Sequence, residues 1–446
     1  MEAYEDSEEK PLLASQIRET TSEKEHRKPK TRGTQTCVMW IALICYSCGI
    51  TAGMGTMRQY TYTAVRDYYN LSDSDSDTVP NKGNNEGGCG ANSTSSNSNH
   101  EEAADWLLYF ELIEYSLVIP VVALCGIYSD FYGRKPFILL SSIGCVLEYS
   151  FFACVIYFHL PLPYLLIGYA IGGLTGSEHV LFMCCCASTA DTTGDNKSRS
   201  FYMACVNLCS GLGVSMSQVG IGFAINYFGF VIPNVISVFI SVISVILFCN
   251  IPETYQNRNH HKPFFQSLSR FIGFYHDKSY LKNIPKWKFM LCLFAFILCL
   301  SPFTCRSNVE TLYQLGEPFC FTSEQIGYYG ALQELVQLTF GTLILKLLHF
   351  CLNDEIILYF GCLSAITYFL MEGFAINSWM IYSGAVCGIL STLPLPLMKS
   401  LLSRMVHEDK QGMIYHLTIL NVMNMFWQSI KLTHIRNLCV SCTEHI

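Results

Sequence analysis

The sequence contains few charged residues. Asp, Glu, Lys and Arg make up only 14% of its 446 residues, whereas hydrophobic residues make up 51%. A soluble protein of this length would carry more charge on its surface. We therefore predict a protein that crosses the lipid bilayer several times. The net charge of −7 argues against nucleic acid as a partner.

Motifs of soluble enzymes are also missing. The polar stretches contain no glycine-rich phosphate loop, no metal-ligand spacing and no nucleophile elbow, so we expect neither an enzyme nor a bound metal or cofactor. Residues 1–37 lack the apolar segment of a cleavable signal peptide, so the first apolar run must direct membrane insertion. Most of the 22 cysteines lie in apolar runs, where cysteine acts as a small packing residue.

Eleven apolar runs are long enough to cross a bilayer as helices. Transmembrane β-strands need only about half that length, and a helix satisfies its own backbone hydrogen bonds in lipid. The sequence therefore predicts an all-α membrane protein. The runs are residues 38–57, 106–128, 136–158, 160–187, 200–225, 230–251, 289–304, 325–348, 356–376, 379–398 and 413–430.

Polar segments divide these runs into two groups. Six runs form an N-terminal half and five form a C-terminal half, and with the N-terminus in the cytosol 22 of the 28 Lys and Arg residues face inside, as the positive-inside rule requires. The predicted parts are a cytosolic disordered tail (1–37), the N-terminal half (38–251) with a large exterior loop (58–105), a cytosolic linker (252–288), the C-terminal half (289–430) and a polar tail (431–446).

Three glycosylation sequons test this topology. Asn70 and Asn92 fall in the exterior loop, where a glycan could be added, whereas Asn196 falls on the cytosolic side and should stay unmodified. Each sequon alone is a common chance pattern.

The loop between the second and third runs carries the most specific motif. Residues 126–136 read GIYSDFYGRKP and resemble the G-x-x-x-D-x-x-G-R-[KR] signature of the major facilitator superfamily; the alternative is an ordinary charged turn. The resemblance implies a helical bundle of two halves that works by alternating access. It also implies a conformational latch, which would be formed by Gly126, Asp130, Gly133, Arg134 and Lys135 and would contact the start of the eleventh helix near Gln411.

Further motifs narrow the resemblance. Residues 311–315 (TLYQL), 326–328 (IGY) and 402–406 (LSRMV) resemble the proton-coupled folate transporter and thymic stromal cotransporter group, solute carrier family 46. That family implies a disulfide between Cys89 and Cys320, although two free thiols are the alternative. Its members have twelve spans, so the polar end of this sequence predicts a chain truncated before the twelfth helix.

Ionisable residues inside the runs are candidates for a transport pathway, because each is costly in lipid unless it faces water or a partner. Glu178 with His179 could bind a proton, and Arg306 and Lys399 favour an organic anion as the transported solute. For each residue an interfacial or structural role is the alternative. The others are Glu111, Glu114, Glu148, Glu334, Glu372 and His416, and of these we assign Glu334 to the pathway.

The sequence departs from the folate branch at two positions. Asn207, which we also assign to the transport pathway, replaces its fifth-helix glutamate, and Phe303 replaces its seventh-helix histidine. Folate itself is therefore not favoured. Lys399 retains a cation at its tenth-helix arginine, but without the fork of a guanidinium.

The N-terminal tail contains a short sorting pattern. Glu8, Leu12 and Leu13 fit the acidic dileucine motif that a sorting adaptor could bind, which would place the protein in endosomal or lysosomal membranes rather than the plasma membrane. The whole sequence predicts a secondary transporter of an organic anion, with protons as candidate coupling ions. The alternative is a non-transporting, receptor-like membrane protein.

Overall fold

A computed structural model describes residues 30–74, 93–192, 196–253, 285–316, 319–405 and 423. Within these residues the regular elements are all helical. They are α1 (Lys30–Ser74), α2 (Ser93–Tyr132), α3 (Lys135–Tyr157), α4 (Leu165–Thr175), α5 (Ser177–Thr192), α6 (Asn196–Phe228), α7 (Val231–Cys249), α8 (Lys286–Leu315), α9 (Ser323–Glu334), α10 (Gly341–Cys351), α11 (Asp354–Gly373), α12 (Ser378–Cys387) and α13 (Pro394–Met405). A 3-10 turn at Leu162–Tyr164 precedes α4, and a π-helix at Leu335–Phe340 joins α9 to α10.

Eight segments of the described chain are long and apolar enough to cross a membrane. They are Cys37–Asp67, Glu102–Gly126, Lys135–Tyr157, Leu162–Thr189, Cys205–Phe228, Val231–Cys249, Ser323–Leu348 and Asp354–Gly373. Two further predicted runs, 289–304 and 379–398, lie in α8 and in α12 with α13. The prediction of an all-helical membrane protein with many spans is therefore confirmed, while the run at 413–430 lies outside the described residues except for residue 423.

The first span is longer than the sequence suggested. We predict its end at Met57, but α1 continues to Ser74, so that residues 58–74 of the predicted exterior loop are helical. A single arginine does not terminate an α-helix, and neither proline nor glycine follows Arg58 before residue 74. The helix therefore continues until the Asp- and Ser-rich stretch begins at Ser72.

Three spans depart from regular α-helix where they face the protein interior. The fourth span breaks between α4 and α5, where Gly176 has a φ of +85° and Ser177 a φ of +46°. The eighth span contains the π-helix, and the tenth is interrupted by turns between α12 and α13. Irregular backbone at membrane depth is tolerated where it is buried in protein or lines a cavity, and such breaks are common near transport sites.

The halves of the molecule meet along α6. This helix packs against α1 in its own half and against α9 in the other. Glycines permit the close approach: a Cβ on Gly222 would lie 2.7 Å from the Ser323 carbonyl oxygen and 3.4 Å from the Cα of Gly327. At the same end, which our topology places outside, Asn226 Nδ2 donates to Glu324 Oε1 at 2.7 Å.

Large apolar side chains cover the outer surface. Phe239 is 67% exposed and Tyr359 is 75% exposed, and both lie on helices of the bundle. Such extensive apolar exposure would be unfavourable in water but suits contact with lipid. The buried core, by contrast, is largest in the N-terminal half, where α1 packs on α7 and α3 packs on α4 and α7.

Candidate functional site

A cavity of about 340 Å³ lies between the two halves. Helices α1 and α6 form one wall, and α8, α9 and the π-helix form the opposite wall. Its lining residues are Thr51, Met54, Gly55, Arg58, Gln59, Val214, Gln218, Glu310, Thr311, Gln314, Ile326, Tyr329, Gly330, Gln333, Glu334, Gln337, Leu338 and Thr392. We call this space the central cavity.

Amide side chains dominate the polar lining of the central cavity. Five glutamines contribute to it, namely Gln59, Gln218, Gln314, Gln333 and Gln337. Gln337 lies in the π-helix and is only 3% exposed, and its Nε2 has no hydrogen-bond partner among the described residues. The backbone at this position is fixed, because Thr392 Oγ1 donates to the Gln337 carbonyl oxygen at 2.9 Å. The Nε2 atom itself lies beside Gly388. Because an unpaired buried donor is unfavourable, rotation of this side chain toward a solute in the cavity would gain a hydrogen bond.

The central cavity also carries charge of both signs. Arg58 on α1 lines it from one half, and Glu310 on α8 and Glu334 at the end of α9 line it from the other. The sequence predicts Glu334 in the pathway but places Arg58 in the exterior loop. The missed signal is the continuation of aromatic and aliphatic residues after it, from Tyr60 to Val65.

Three glutamates form a second polar group inside the N-terminal half. Glu114 on α2 is 3% exposed and Glu148 on α3 is 4% exposed, and each lies within electrostatic range of Glu178 on α5. The side chain of Ser177 lies close to the Glu114 carboxyl group. The Glu148 carboxylate lies against Gly172 of α4, where the missing side chain makes room for it. We call Glu114, Glu148 and Glu178 the carboxylate cluster.

The residues predicted for the transport pathway do not all meet at one place. Glu334 lines the central cavity, whereas Glu178, His179 and Asn207 do not. His179 is buried at the start of α5, and its ring centroid lies 6.1 Å from that of Tyr115. The side chains of Arg306 on α8 and Lys399 on α13 lie outside the described residues, so their part in the pathway stays a prediction.

The predicted latch residues hold together the loop between α2 and α3. Gly133 has a φ of +98°, and a side chain there would collide with the Glu253 carboxylate. That carboxylate accepts hydrogen bonds from the backbone N–H of Arg134 at 2.9 Å and of Lys135 at 3.0 Å. It thereby caps the positive N-terminal end of α3.

Side chains of the same loop add two further bonds. Arg134 Nη1 donates to Ser129 Oγ at 2.7 Å, and Lys135 Nζ donates to the Cys249 carbonyl oxygen at 2.7 Å. The first bond joins the loop to α2, and the second connects it to the end of α7. Gly126 is buried on α2, while the side chain of Asp130 and all of Gln411 lie outside the described residues, so the latch contact with the eleventh helix is still a prediction.

Several other predicted residues fall outside the described part of the chain. They are Glu8, Leu12, Leu13, Cys89 and Asn92, together with the side chains of Asn70 and Asn196. Cys320 is disulfide-bonded, but because Cys89 is not described, the pairing of these two cysteines stays a prediction.

Comparison with known proteins agrees with this architecture. The sequence profile of the Major Facilitator Superfamily matches residues 101–430. The Proton-coupled folate transporter of Bos taurus is 28% identical over 320 residues, which cover 70% of this chain and 67% of that protein. The Lysosomal proton-coupled steroid conjugate and bile acid symporter SLC46A3 of Mus musculus is 28% identical over 294 residues, which cover 64% of this chain and 63% of that protein.

A solved structure supports the same fold. The human organic anion transporter MFSD10 (TETRAN) superposes with a TM-score of 0.65 at 15% sequence identity and covers 90% of this chain and 92% of its own. The relatives belong to the group that the motifs of the sequence resemble, so that resemblance is confirmed. The chain carries the family signature and has two packed helical halves with a cavity between them. It belongs to the Major Facilitator Superfamily.

Proposed function

We propose that this protein is a secondary transporter that moves an organic anion across a membrane by alternating access, with protons as the coupling ions. The observation that carries the proposal is the central cavity, which is lined from both halves and contains a guanidinium beside several amides. A site between two halves can open to either side when the halves rock against each other. An alternative role as a non-transporting receptor would not require such a cavity.

The lining of the central cavity suits a small polar anion. The planar guanidinium of Arg58 can bind a carboxylate or sulfate through two parallel hydrogen bonds. Glutamine amides such as Gln337 can pair with carbonyl, hydroxyl or amide groups of a solute. Glu310 and Glu334 would repel a second negative charge, so we propose a solute with one anionic group near Arg58 and hydrogen-bond donors near the glutamates.

The relatives support this solute class. Their names specify folate in one case and steroid conjugates and bile acids in the other, with proton coupling in both. We propose a lysosomal or plasma membrane for this protein on the same basis. We further propose that a sorting adaptor binds the motif formed by Glu8, Leu12 and Leu13. We also propose that the loop at Gly133 forms a conformational latch.

Gln337 offers a direct test. In proteoliposomes with an imposed pH gradient, we expect the full chain to accumulate at least one of folate, a steroid sulfate and a bile acid. Gln337→Leu should raise the KM for that solute about tenfold, because a hydrogen bond to a charged or polar solute is lost. The melting temperature should stay the same or rise, since the variant also removes an unpaired buried amide.

Thr339→Val is the matched control. Thr339 lies on the same π-helix and also has an unpaired buried hydroxyl among the described residues, but it does not line the central cavity. We expect the Thr339→Val variant to have the same KM as the wild type. Equal KM changes in both variants would place the solute elsewhere, and failure of the wild type to accumulate any of the three solutes would contradict the proposed solute class.

A further inference from the structure

The polar lining of the central cavity is mostly uncharged, and it comes from both halves. Gln59 on α1 and Gln218 on α6 belong to the N-terminal half. Gln314 on α8, Gln333 on α9 and Gln337 in the π-helix belong to the C-terminal half. We call these five residues the amide lining. A solute in the central cavity therefore meets carboxamide groups on two opposite walls.

Four members of the amide lining are buried. Gln59 and Gln333 are each 7% exposed, Gln337 is 3% exposed and Gln314 is 2% exposed. Glutamine usually lies at the protein surface, because burial deprives its donors and acceptors of water. Buried amides are therefore retained only where hydrogen-bond partners are present for much of the time.

Contacts within the protein use part of this hydrogen-bonding capacity. A carboxamide has two N–H donors and an oxygen atom with two lone pairs. Gln314 Nε2 donates to Glu310 Oε1 at 3.3 Å, which occupies one of its two N–H groups. Gln337 Nε2 has no hydrogen-bond partner among the described residues. The amide lining therefore retains hydrogen-bonding capacity for the contents of the cavity.

Gln218 lies where the two halves approach each other. A Cβ on Gly330 of α9 would lie 3.1 Å from Gln218 Cδ and 3.3 Å from Gln218 Oε1. The absence of a side chain at Gly330 thus leaves room for the carboxamide of Gln218 beside α9. Both residues line the central cavity, so a solute that hydrogen-bonds Gln218 contacts the junction between α6 and α9.

Apolar side chains are few in the lining of the central cavity. Among the described residues they are those of Met54, Val214, Ile326, Tyr329 and Leu338, although most small-molecule sites are lined mainly by hydrophobic and aromatic side chains. An apolar solute would displace water from the amides without replacing its hydrogen bonds, which is unfavourable. A solute with hydroxyl groups would replace those bonds, because a hydroxyl both donates and accepts.

We infer that the amide lining selects anions with a polyhydroxylated body, such as sugar acids, over anions with an apolar body. The inference rests on the proposed function, in which Arg58 binds the single anionic group of the solute. The amide lining then binds the hydroxyl groups of the uncharged body from both halves. A site built to bind hydroxyl groups rejects an analogue that lacks them far more strongly than an apolar pocket rejects one that carries them.

Two carboxylates of similar ring size test this selection. Glucuronate and cyclohexanecarboxylate each carry one carboxylate on a six-membered ring, but only glucuronate carries hydroxyl groups. Apparent dissociation constants are obtained from the rise in melting temperature of the full chain with ligand concentration. We expect glucuronate to bind about tenfold more tightly or better, because its hydroxyl groups pair with buried amides that the apolar ring would leave unpaired.

Gln218→Met identifies the amide lining as the cause of this preference. Methionine keeps an unbranched side chain but lacks the donors and the strong acceptor of an amide. We expect the ratio of the two dissociation constants to fall by about 5-fold or more, through weaker binding of glucuronate.

Gln325→Met is the matched control. Gln325 is an exposed glutamine in the first turn of α9, and it does not line the central cavity. The loss of its capping bond affects the melting temperature of the unliganded protein but not the ratio of the dissociation constants. Equal changes of this ratio in Gln218→Met and Gln325→Met would overturn the inference. Equal or tighter binding of cyclohexanecarboxylate to the wild type, or no stabilisation by glucuronate, would also overturn it.

Uptake into proteoliposomes separates this inference from the proposed function. We expect the sulfate of estriol to have a lower KM than the sulfate of estradiol, which has one hydroxyl group fewer. Accumulation of both with equal KM values, together with no preference for glucuronate, would retain transport and reject the selection. A preference for glucuronate without accumulation of any solute would retain the amide lining as a binding site and contradict the proposed transport.

Discussion

At the scale of single residues, Glu253 has a role that its sequence context does not reveal. It follows the sixth span directly. Its two carboxylate oxygens nevertheless accept hydrogen bonds from backbone N–H groups at the start of α3, more than a hundred residues earlier in the chain. A carboxylate at a helix N-terminus satisfies unpaired donors and interacts favourably with the helix dipole. The sequence motif around Gly133 therefore depends on a partner from the other end of the N-terminal half.

Substitution of Glu253 measures this role. Glu253→Gln keeps one acceptor oxygen but loses the charge and one of the two bonds, so we expect the free energy of unfolding to fall by about 1–2 kcal/mol. Thermal unfolding of the purified protein gives the value. Glu355→Gln is the control. Glu355 is an exposed acidic residue in the first turn of α11. The N-cap residue of α11 makes no side-chain capping hydrogen bond. An equal loss in both variants would show that the capping bonds contribute nothing specific.

Arg58 illustrates what a residue-by-residue reading of the sequence could not decide. Its charge ends an apolar run, and we therefore placed it outside the membrane. In the structure α1 continues through it, and Arg58 lines the central cavity together with Glu310, Glu334 and several amide side chains. Only the neighbours determine that an arginine at this depth is acceptable.

At the scale of helices, α6 and α9 approach closely because glycine lies at their contact. Gly222 and Gly327 leave the two backbones nearly in contact, and the Asn226–Glu324 hydrogen bond lies at the same end. Contacts of this kind between the two halves must open and close if the central cavity is to face each side in turn.

Gly222→Ala tests this contact. The new Cβ would lie 2.7 Å from the Ser323 carbonyl oxygen, so α6 and α9 must separate there. We expect a loss of about 1–3 kcal/mol of stability for this contact, seen as a lower melting temperature of the purified protein, and slower uptake.

Gly220→Ala is the control on the same helix. A Cβ at Gly220 would meet nothing within 4 Å, so we expect a wild-type melting temperature and wild-type uptake. If both alanine variants behaved alike, the effect would come from helix propensity and not from the contact between the halves.

The positions of the breaks within helices could also be located only in the structure. The sequence shows four glycines in the fourth run, Gly176 among them, but glycine is tolerated in many membrane helices. The positive φ values at Gly176 and Ser177 end α4 and restart the chain as α5, which brings Ser177 and Glu178 close to Glu114. The fourth run was thus predicted correctly as a span, and its glycines predict a kink or a close helix contact without deciding between the two; the structure shows a break at Gly176.

At the scale of the whole molecule, the orientation in the membrane follows from the distribution of lysine and arginine. Glycan mapping checks it. We expect Asn70→Gln and Asn92→Gln each to remove one glycosidase-sensitive shift in gel mobility, and Asn196→Gln to remove none, because the last sequon lies on the cytosolic side. A glycan on Asn196 would invert the topology and with it the assignment of the closed end at Asn226.

The sequence by itself determined that the chain is a helical membrane protein, and the signature at residues 126–136 identified its superfamily. Those properties follow from the length, hydropathy and spacing of residues that are close in the chain. The tertiary structure decided which ionisable residues lie near one another, because Glu114, Glu148 and Glu178 come from three different helices. Burial makes each such charge depend on its neighbours, and those neighbours are distant in sequence.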